Sequence, residues 1–418
     1  MRASSVSRAG PVDRIAISHD YLTQRGGAER VVLSLSDAFP EAPIYTSFYE
    51  PEGTFEQYRE KDVRPSVLNA VPFLRKHFRV ALPLYPAIFT GRSVDAEVTI
   101  CSSSGWAHGT RTTGRKIVYC HAPARWLYQP DNYLASFPAS AARVLPLLRP
   151  GLLAWDRRAA AGANLYVTNS RRTRGMIRDA YGIDAHVLPP PHSIDPAGPR
   201  DPVPGMEDGY FLTVSRLHSY KNIIELIDAF REMPHEQLAI VGQGPLQERL
   251  IATCPDNVVL LGRVSDAELR WLYAHAAALL AVSYEDLGLT PVEAALFATP
   301  SLALRFGGYL DTVIDGTNGY FIEEISAGAI ARSVQLFDAR QLDPEPVRQS
   351  AARYARDRFE QRLRELVADQ MDRTHPVPPR WASPATLPSN APAGVLDLTT
   401  PADVVPSPEL PEADSEIG

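Results

Sequence analysis

Cysteine is scarce in this chain of 418 residues: only Cys101, Cys120 and Cys254 occur, far apart and without the short spacings of metal ligands. A disulfide framework and a zinc site are thereby excluded. No apolar run approaches the ~18 residues needed to span a bilayer, and residues 1–12 lack the apolar core of a signal peptide. The expectation is a cytoplasmic protein. Also missing are a G-x-G-x-x-G spacing after the first strand-like run, a D-x-D element at a strand end and any DNA- or RNA-binding motif. These absences argue against a dinucleotide site, an essential metal and a nucleic-acid partner.

What is present is an ordinary soluble composition, 45% hydrophobic and 22% charged, in a chain long enough for two domains with a core each. The formal net charge of −7 hides an asymmetry. Residues 1–200 carry 25 Lys and Arg against 17 Asp and Glu, whereas the remainder carries 17 against 32. A basic half predicts an anionic partner, with a membrane surface or a phosphate-bearing substrate the best fits. Scattered, solvated arginines are the plainer reading.

Short apolar runs alternate with helical spacing along the chain. Strands are predicted at 13–19, 43–48, 96–103, 116–121 and 164–170, with a helix over 28–39. The pattern restarts with strands at 210–216, 237–244, 258–263, 278–283 and 300–304, and helices over 222–230 and from near Ser265. Such alternation predicts an α/β protein of two Rossmann-like, doubly wound domains facing a cleft. The domain over 13–190 follows a flexible N-terminus at 1–12. Residues 191–205, rich in proline, read as a linker to the domain over 206–346. Closing helices at 347–374 end the folded part, and the Pro/Ala-rich, acidic residues 375–418 read as a disordered tail.

Ligands of doubly wound sheets bind beyond the carboxyl ends of the strands. Four groups fall there. Gly26-Gly27 precede the first helix and would let a ligand approach the backbone; a tight turn is the alternative. Arg216 and Lys221 flank a strand end and a helix start, a cationic pocket suited to a diphosphate, against a reading as ordinary surface charges. His121 follows a strand and precedes a proline loop, where a neutral imidazole could bond a substrate hydroxyl or serve the core. Finally Glu285 and Glu293 bracket the loop Asp286-Leu287-Gly288-Leu289-Thr290. Here Thr290, Pro291 and Glu293 predict a helix start with a capping box, while carboxylates can also grip sugar hydroxyls.

The units E-DLGLTPV-E (285–293), SRL…K (215–221), VGQGPL (241–246), GGYLDTVIDGTNGYF (307–321) and GGAERVV (26–32) occur in one order. Together they resemble glycosyltransferase family 4, a large retaining family with the GT-B fold, over residues 13–371. The YCHAPARW segment and the E-D-x-G-x-x-P-V-E variant resemble its mannosyltransferase branch. The resemblance implies a nucleotide-sugar donor, best guessed as GDP-mannose, and no cofactor. It implies that Arg216 and Lys221 bind the donor diphosphate, Glu285 holds the sugar, Glu293 the ribose, and His121 a sugar hydroxyl. Residues Asp286–Thr290, Gly26, Gly27 and Gly242 are implied to contact the donor. Asp311 stands where the family often has Glu, so no catalytic part is assigned to it.

The acceptor is expected to be a glycan or a polyprenyl- or phospholipid-linked sugar, read by the first domain. Tracts 64–89 and 141–161 mix basic and apolar side chains. They fit peripheral contact with an anionic membrane at the inner face of the cell membrane, or core helices with snorkelling arginines. A UDP-sugar enzyme of the same family and a non-catalytic nucleotide-sugar scaffold are the other readings.

Overall fold

The computed structural model describes residues 13–78, 81, 84–129 and 139–373. The expected flexible start and disordered tail lie outside these residues. The first domain contributes β1 (Asp13–His19), β2 (Ile44–Thr46), β3 (Val63–Pro65), β4 (Ser93–Val94), β5 (Ala96–Ser103), β6 (Arg111–Thr112), β7 (Arg115–Cys120), β8 (Leu165–Thr168) and β9 (His186–Val187). Strands β4 and β6 pair at the side, and the other seven form a parallel sheet in the order β3-β2-β1-β5-β7-β8-β9. The second domain contributes β10 (Phe211–Val214), β11 (Leu238–Val241), β12 (Val258–Gly262), β13 (Ala278–Ala281), β14 (Ser301–Leu304) and β15 (Gly319–Ile322). They form a parallel sheet in the order β12-β11-β10-β13-β14-β15.

Both faces of these sheets are covered, which is why their strands read as unbroken apolar runs. In β11, Leu238 and Ile240 join one core layer, and Ala239 and Val241 the opposite one. Alternate side chains of a strand point to opposite faces. The strand order reverses between β1 and β5 in one sheet and between β10 and β13 in the other, so a crevice lies beyond those four strand ends.

At the junctions the structure adds detail to these expectations. Residues 191–205 form no helix or strand, as a linker would, but Ile194 and Val203 are buried in the second domain's core. The closing stretch holds two helices. It runs as Pro344–Ser350, a 3-10 turn at Ala351–Tyr354, and a helix at Arg356–Asp372. The last of these returns to the first domain, where Phe359, Leu363, Leu366 and Val367 pack with Ile17, Val32 and Ile100. The helix expected near Ser265 spans Asp266–His275 with a full capping box between Ser265 and Glu268. Among the described residues no helix is long and apolar enough to cross a membrane.

The returning helix ties the chain's end to its beginning. Leu363 has no exposed surface. Leu363→Ala should therefore cost about 2–5 kcal/mol, the usual toll of emptying a core leucine site. Denaturant unfolding followed in the first domain measures it, and an unchanged midpoint would contradict the docking.

Candidate active site

Lys221 is the organising side chain of the second domain's strand ends. It closes the 3-10 turn Ser219–Lys221, and the next residue, Asn222, takes the left-handed conformation that asparagine tolerates best after glycine. The Asn222 amide donates to the carbonyl of Val282 at 2.7 Å. That bond pins the turn to the chain leaving β13, which carries Glu285. The Lys221 ammonium then contacts Glu285 Oε1 directly, with 9% of the Lys221 side chain and 28% of the Glu285 side chain exposed.

Glu285 is held from behind as well. Ser283 donates to its Oε1 at 3.1 Å, and since that uses the serine proton, Tyr309 donates to Ser283 Oγ at 2.8 Å. Arg216 stands on the open side, with Nη2 donating to Tyr220 at 3.0 Å. His218 lies between these cations, stacked on Tyr220; partial burial and the charges of Arg216 and Lys221 lower its pKa. The sequence reading missed Asn222, Ser283, Tyr309 and His218. For Asn222 the signal was present, an asparagine just after the lysine at a helix start.

Two glycines are required by the loops themselves. Gly242, at φ +142°, lies so close that a Cβ would overlap the carbonyl oxygen of Ser215, so it lets β11 pack beneath the Arg216 loop. Gly288, at φ +71°, lies against the Tyr309 ring, which a Cβ would strike. Gly26 precedes the helix Gly27–Ala38 with Glu29 Oε2 against it, whereas Gly27 faces open space.

The expected capping box after this loop does not form. The helix Thr290–Ala295 starts at Thr290 itself, behind a Leu289 already in the helical region, with no side-chain cap. Glu293 instead accepts from Ser193 at 2.9 Å and from Tyr273 at 3.0 Å. Leu287 is buried and Leu289 half-buried, so both brace the loop with their side chains. Asp286 differs from its neighbours. Its carboxylate accepts from Arg125 and Arg172, both in the first domain. Asp311 likewise accepts from the Arg171 backbone at 2.7 Å and pairs with the Arg171 guanidinium. Part of the basic first half thus meets the acidic second half of its own chain, a partner the charge count did not consider.

His121 lies in the first domain, four residues before Arg125, so its segment faces the Glu285 loop across the cleft. His19 Nδ1 donates to the Ser102 carbonyl at 3.0 Å. The Ser102 hydroxyl is then free to donate to His121 Nε2 at 2.8 Å. With that nitrogen accepting, the proton of a neutral His121 sits on Nδ1. Burial, with His19 nearby, holds the His121 pKa down to about 3. Among the described residues no three or more His, Cys, Asp or Glu side chains gather in a way that could hold a metal ion.

Tracts 64–89 and 141–161 come together in their described parts. Tyr85 and Phe89 are buried beside Trp106 and Trp126, with Leu152 and Trp155 packed against them. Val67, Phe73 and Leu147 nevertheless stay exposed. Some side chains of these tracts are therefore core and others are exposed.

The sequence profile of Glycosyltransferase Family 4 matches residues 25–195, and that of Glycosyl transferases group 1 matches residues 199–358. Glycogen synthase of Mycobacterium tuberculosis is 28% identical over 314 residues, 72% of this chain and 66% of that protein. The chain thus spans a little under two thirds of that relative's length. The GDP-mannose-dependent alpha-(1-6)-phosphatidylinositol monomannoside mannosyltransferase of Mycolicibacterium smegmatis is 30% identical over 218 residues, 46% of this chain and 56% of that protein. Among solved structures, Anabaena Alr3699/HepE in complex with UDP and glucose aligns with a TM-score of 0.62 at 16% identity, covering 85% of this chain and 100% of that one. At that identity the likeness is one of fold alone.

A neutral His121 has a consequence for stability. The unfolded chain takes up a proton near 6.5, whereas the folded imidazole resists it until about 3. Stability from this site is full above about pH 6.5 and drains away as pH falls toward 3. Thermal midpoints between pH 7 and 4 should fall more steeply in the wild type than in His121→Asn; equal slopes would contradict the assignment.

Proposed function

The chain belongs to glycosyltransferase family 4, with the GT-B fold, and we propose that its cleft moves a hexose from a nucleotide sugar to an acceptor. Our reading of the donor is GDP-mannose, supported by the similarity to a mannosyltransferase that uses it. Our reading of the acceptor is a glycan or a polyprenyl- or phospholipid-linked sugar, in polysaccharide or glycolipid synthesis. The observation that carries the reading is the contact of Lys221 with Glu285 where β10 and β13 end at the reversal of the sheet.

In this account the diphosphate takes up the positive charge of Lys221 and Arg216. Glu285, released from its ammonium partner, accepts hydroxyls of the transferred sugar. Glu293 accepts from the ribose, Asp286–Thr290 and Gly27 offer backbone to donor oxygens, and His121 donates its Nδ1–H to a sugar hydroxyl. The bond between C1 and the diphosphate oxygen breaks, and the nucleoside diphosphate departs with the electron pair. The acceptor hydroxyl attacks C1 from the same face, so configuration is retained, and its proton passes to the departing phosphate oxygen. No protein base is assigned. Fixed cations facing a developing negative charge are worth most in a site that excludes water.

Lys221→Ala and Arg216→Ala should each cost turnover by about 2–4 kcal/mol in activation free energy, the range for losing one preorganised charge donor. Calorimetry with GDP-mannose, UDP-glucose and UDP-N-acetylglucosamine tests the donor. Binding of GDP-mannose, weakened by Lys221→Ala, supports the reading. Binding of a UDP-sugar alone moves the donor to the second reading. Binding of none overturns the donor site.

The exposed Val67 and Phe73, close in sequence to Arg75 and Lys76, and the exposed Leu147 support docking of the first domain on an anionic membrane. Sedimentation with phosphatidylglycerol vesicles at low salt should carry the protein down, and Phe73→Asp should weaken that. No sedimentation would remove membrane contact from the account.

A further inference from the structure

Glu285 is gripped through both of its neighbours in sequence, and from the other domain. Asp286 has one carboxylate oxygen taken by Arg125 and the other by Arg172 Nε at 3.4 Å. The Asp286 side chain is 15% exposed, Arg172 24% and Arg125 40%. The Arg172 guanidinium also lies over the Phe306 ring, 4.3 Å from its centroid, and Phe306 stands edge-on to Tyr284 at 4.8 Å. Between these two grips the Glu285 carbonyl accepts from the Gly308 N–H at 2.9 Å. Gly307 packs so tightly there that a Cβ would overlap the Glu285 carbonyl oxygen and come within 3.0 Å of Arg172 Cδ.

We propose that Arg125 and Arg172 are positioning residues that clamp Asp286 from the first domain and so aim Glu285 at the donor sugar. The inference rests on the donor-site reading of Lys221 and Glu285. The residues from Val282 to Leu289 form neither helix nor strand, so no ladder of backbone bonds fixes their course. A carboxylate whose two oxygens go to two separate guanidinium groups has lost its freedom to turn. The pairs are partly buried, so salt screens them less than it does open surface pairs. The donor loop is therefore complete only with both domains in place. The proposed nucleoside and diphosphate contacts, by contrast, lie almost wholly in the second domain.

Turnover and nucleotide binding should then separate. In the full chain, Arg125→Ala should lower kcat about tenfold or more, with GDP-mannose as donor, or UDP-glucose if that is the one that binds. Affinity for the matching nucleoside diphosphate and the thermal midpoint should move little. Arg125→Lys should recover part of the loss. Arg125→Ala combined with Asp286→Asn should be no slower than the slower single variant, because both remove one contact. Wild-type kcat in Arg125→Ala, or losses that multiply in the double variant, overturns the clamp. Glu285→Gln separates the two ideas. If it is inactive while Arg125→Ala is normal, the clamp alone fails; if it too is normal, the donor-site reading fails. Should Asp286→Asn not fold, the two Arg125 variants decide on their own, since that side chain is 40% exposed.

Discussion

A lysine ammonium that has given up most of its water must be matched by an anion, and Lys221 imposes that demand on everything around it. Glu285 meets the demand, and the elements behind both residues exist to hold them there. The left-handed Asn222 ties the lysine's turn to the chain leaving β13, and Tyr309 and Ser283 fix the glutamate from below. A phosphate is a stronger partner for the same ammonium than a single carboxylate. In the proposed function this contact is where the diphosphate enters, and Glu285 then turns to the sugar hydroxyls.

Around this pair the two domains are joined by charge of opposite sign. Arg125, Arg171 and Arg172 come from strand-end segments of the first domain; Asp286 and Asp311 come from those of the second. Asp311 sits at the start of the helix Arg171–Tyr181, accepting from its first N–H, where a carboxylate is favoured by the helix dipole. The departure from the family's usual glutamate at Asp311 thus coincides with a short acid that fits a helix terminus across the cleft.

Much of the fold was legible because parallel strands covered on both faces write themselves as apolar runs. The expected strands at 13–19 and 96–103 match β1 and β5 residue for residue. Short edge strands such as β3, β4 and β9 left no such trace, since two or three residues cannot show a pattern. The cleft residues were legible through strand ends and glycines, and Lys221 and Glu285 do meet. What failed was local inference about Glu293. Its sequence spacing fits a capping box, but Ser193 and Tyr273, 100 and 20 residues away, claim the carboxylate. The same limit hid the partners of the arginines, because net charge counts residues without saying which of them will face each other.

The most direct measurement is a crystal structure of the chain with a bound nucleoside diphosphate, read for the position of the distal phosphate. The account predicts that this phosphate lies within hydrogen-bond distance of Lys221 Nζ and the Arg216 guanidinium, with the Glu285 carboxylate turned away from the ammonium. A phosphate bound elsewhere, with Lys221 and Glu285 still in contact, would contradict it.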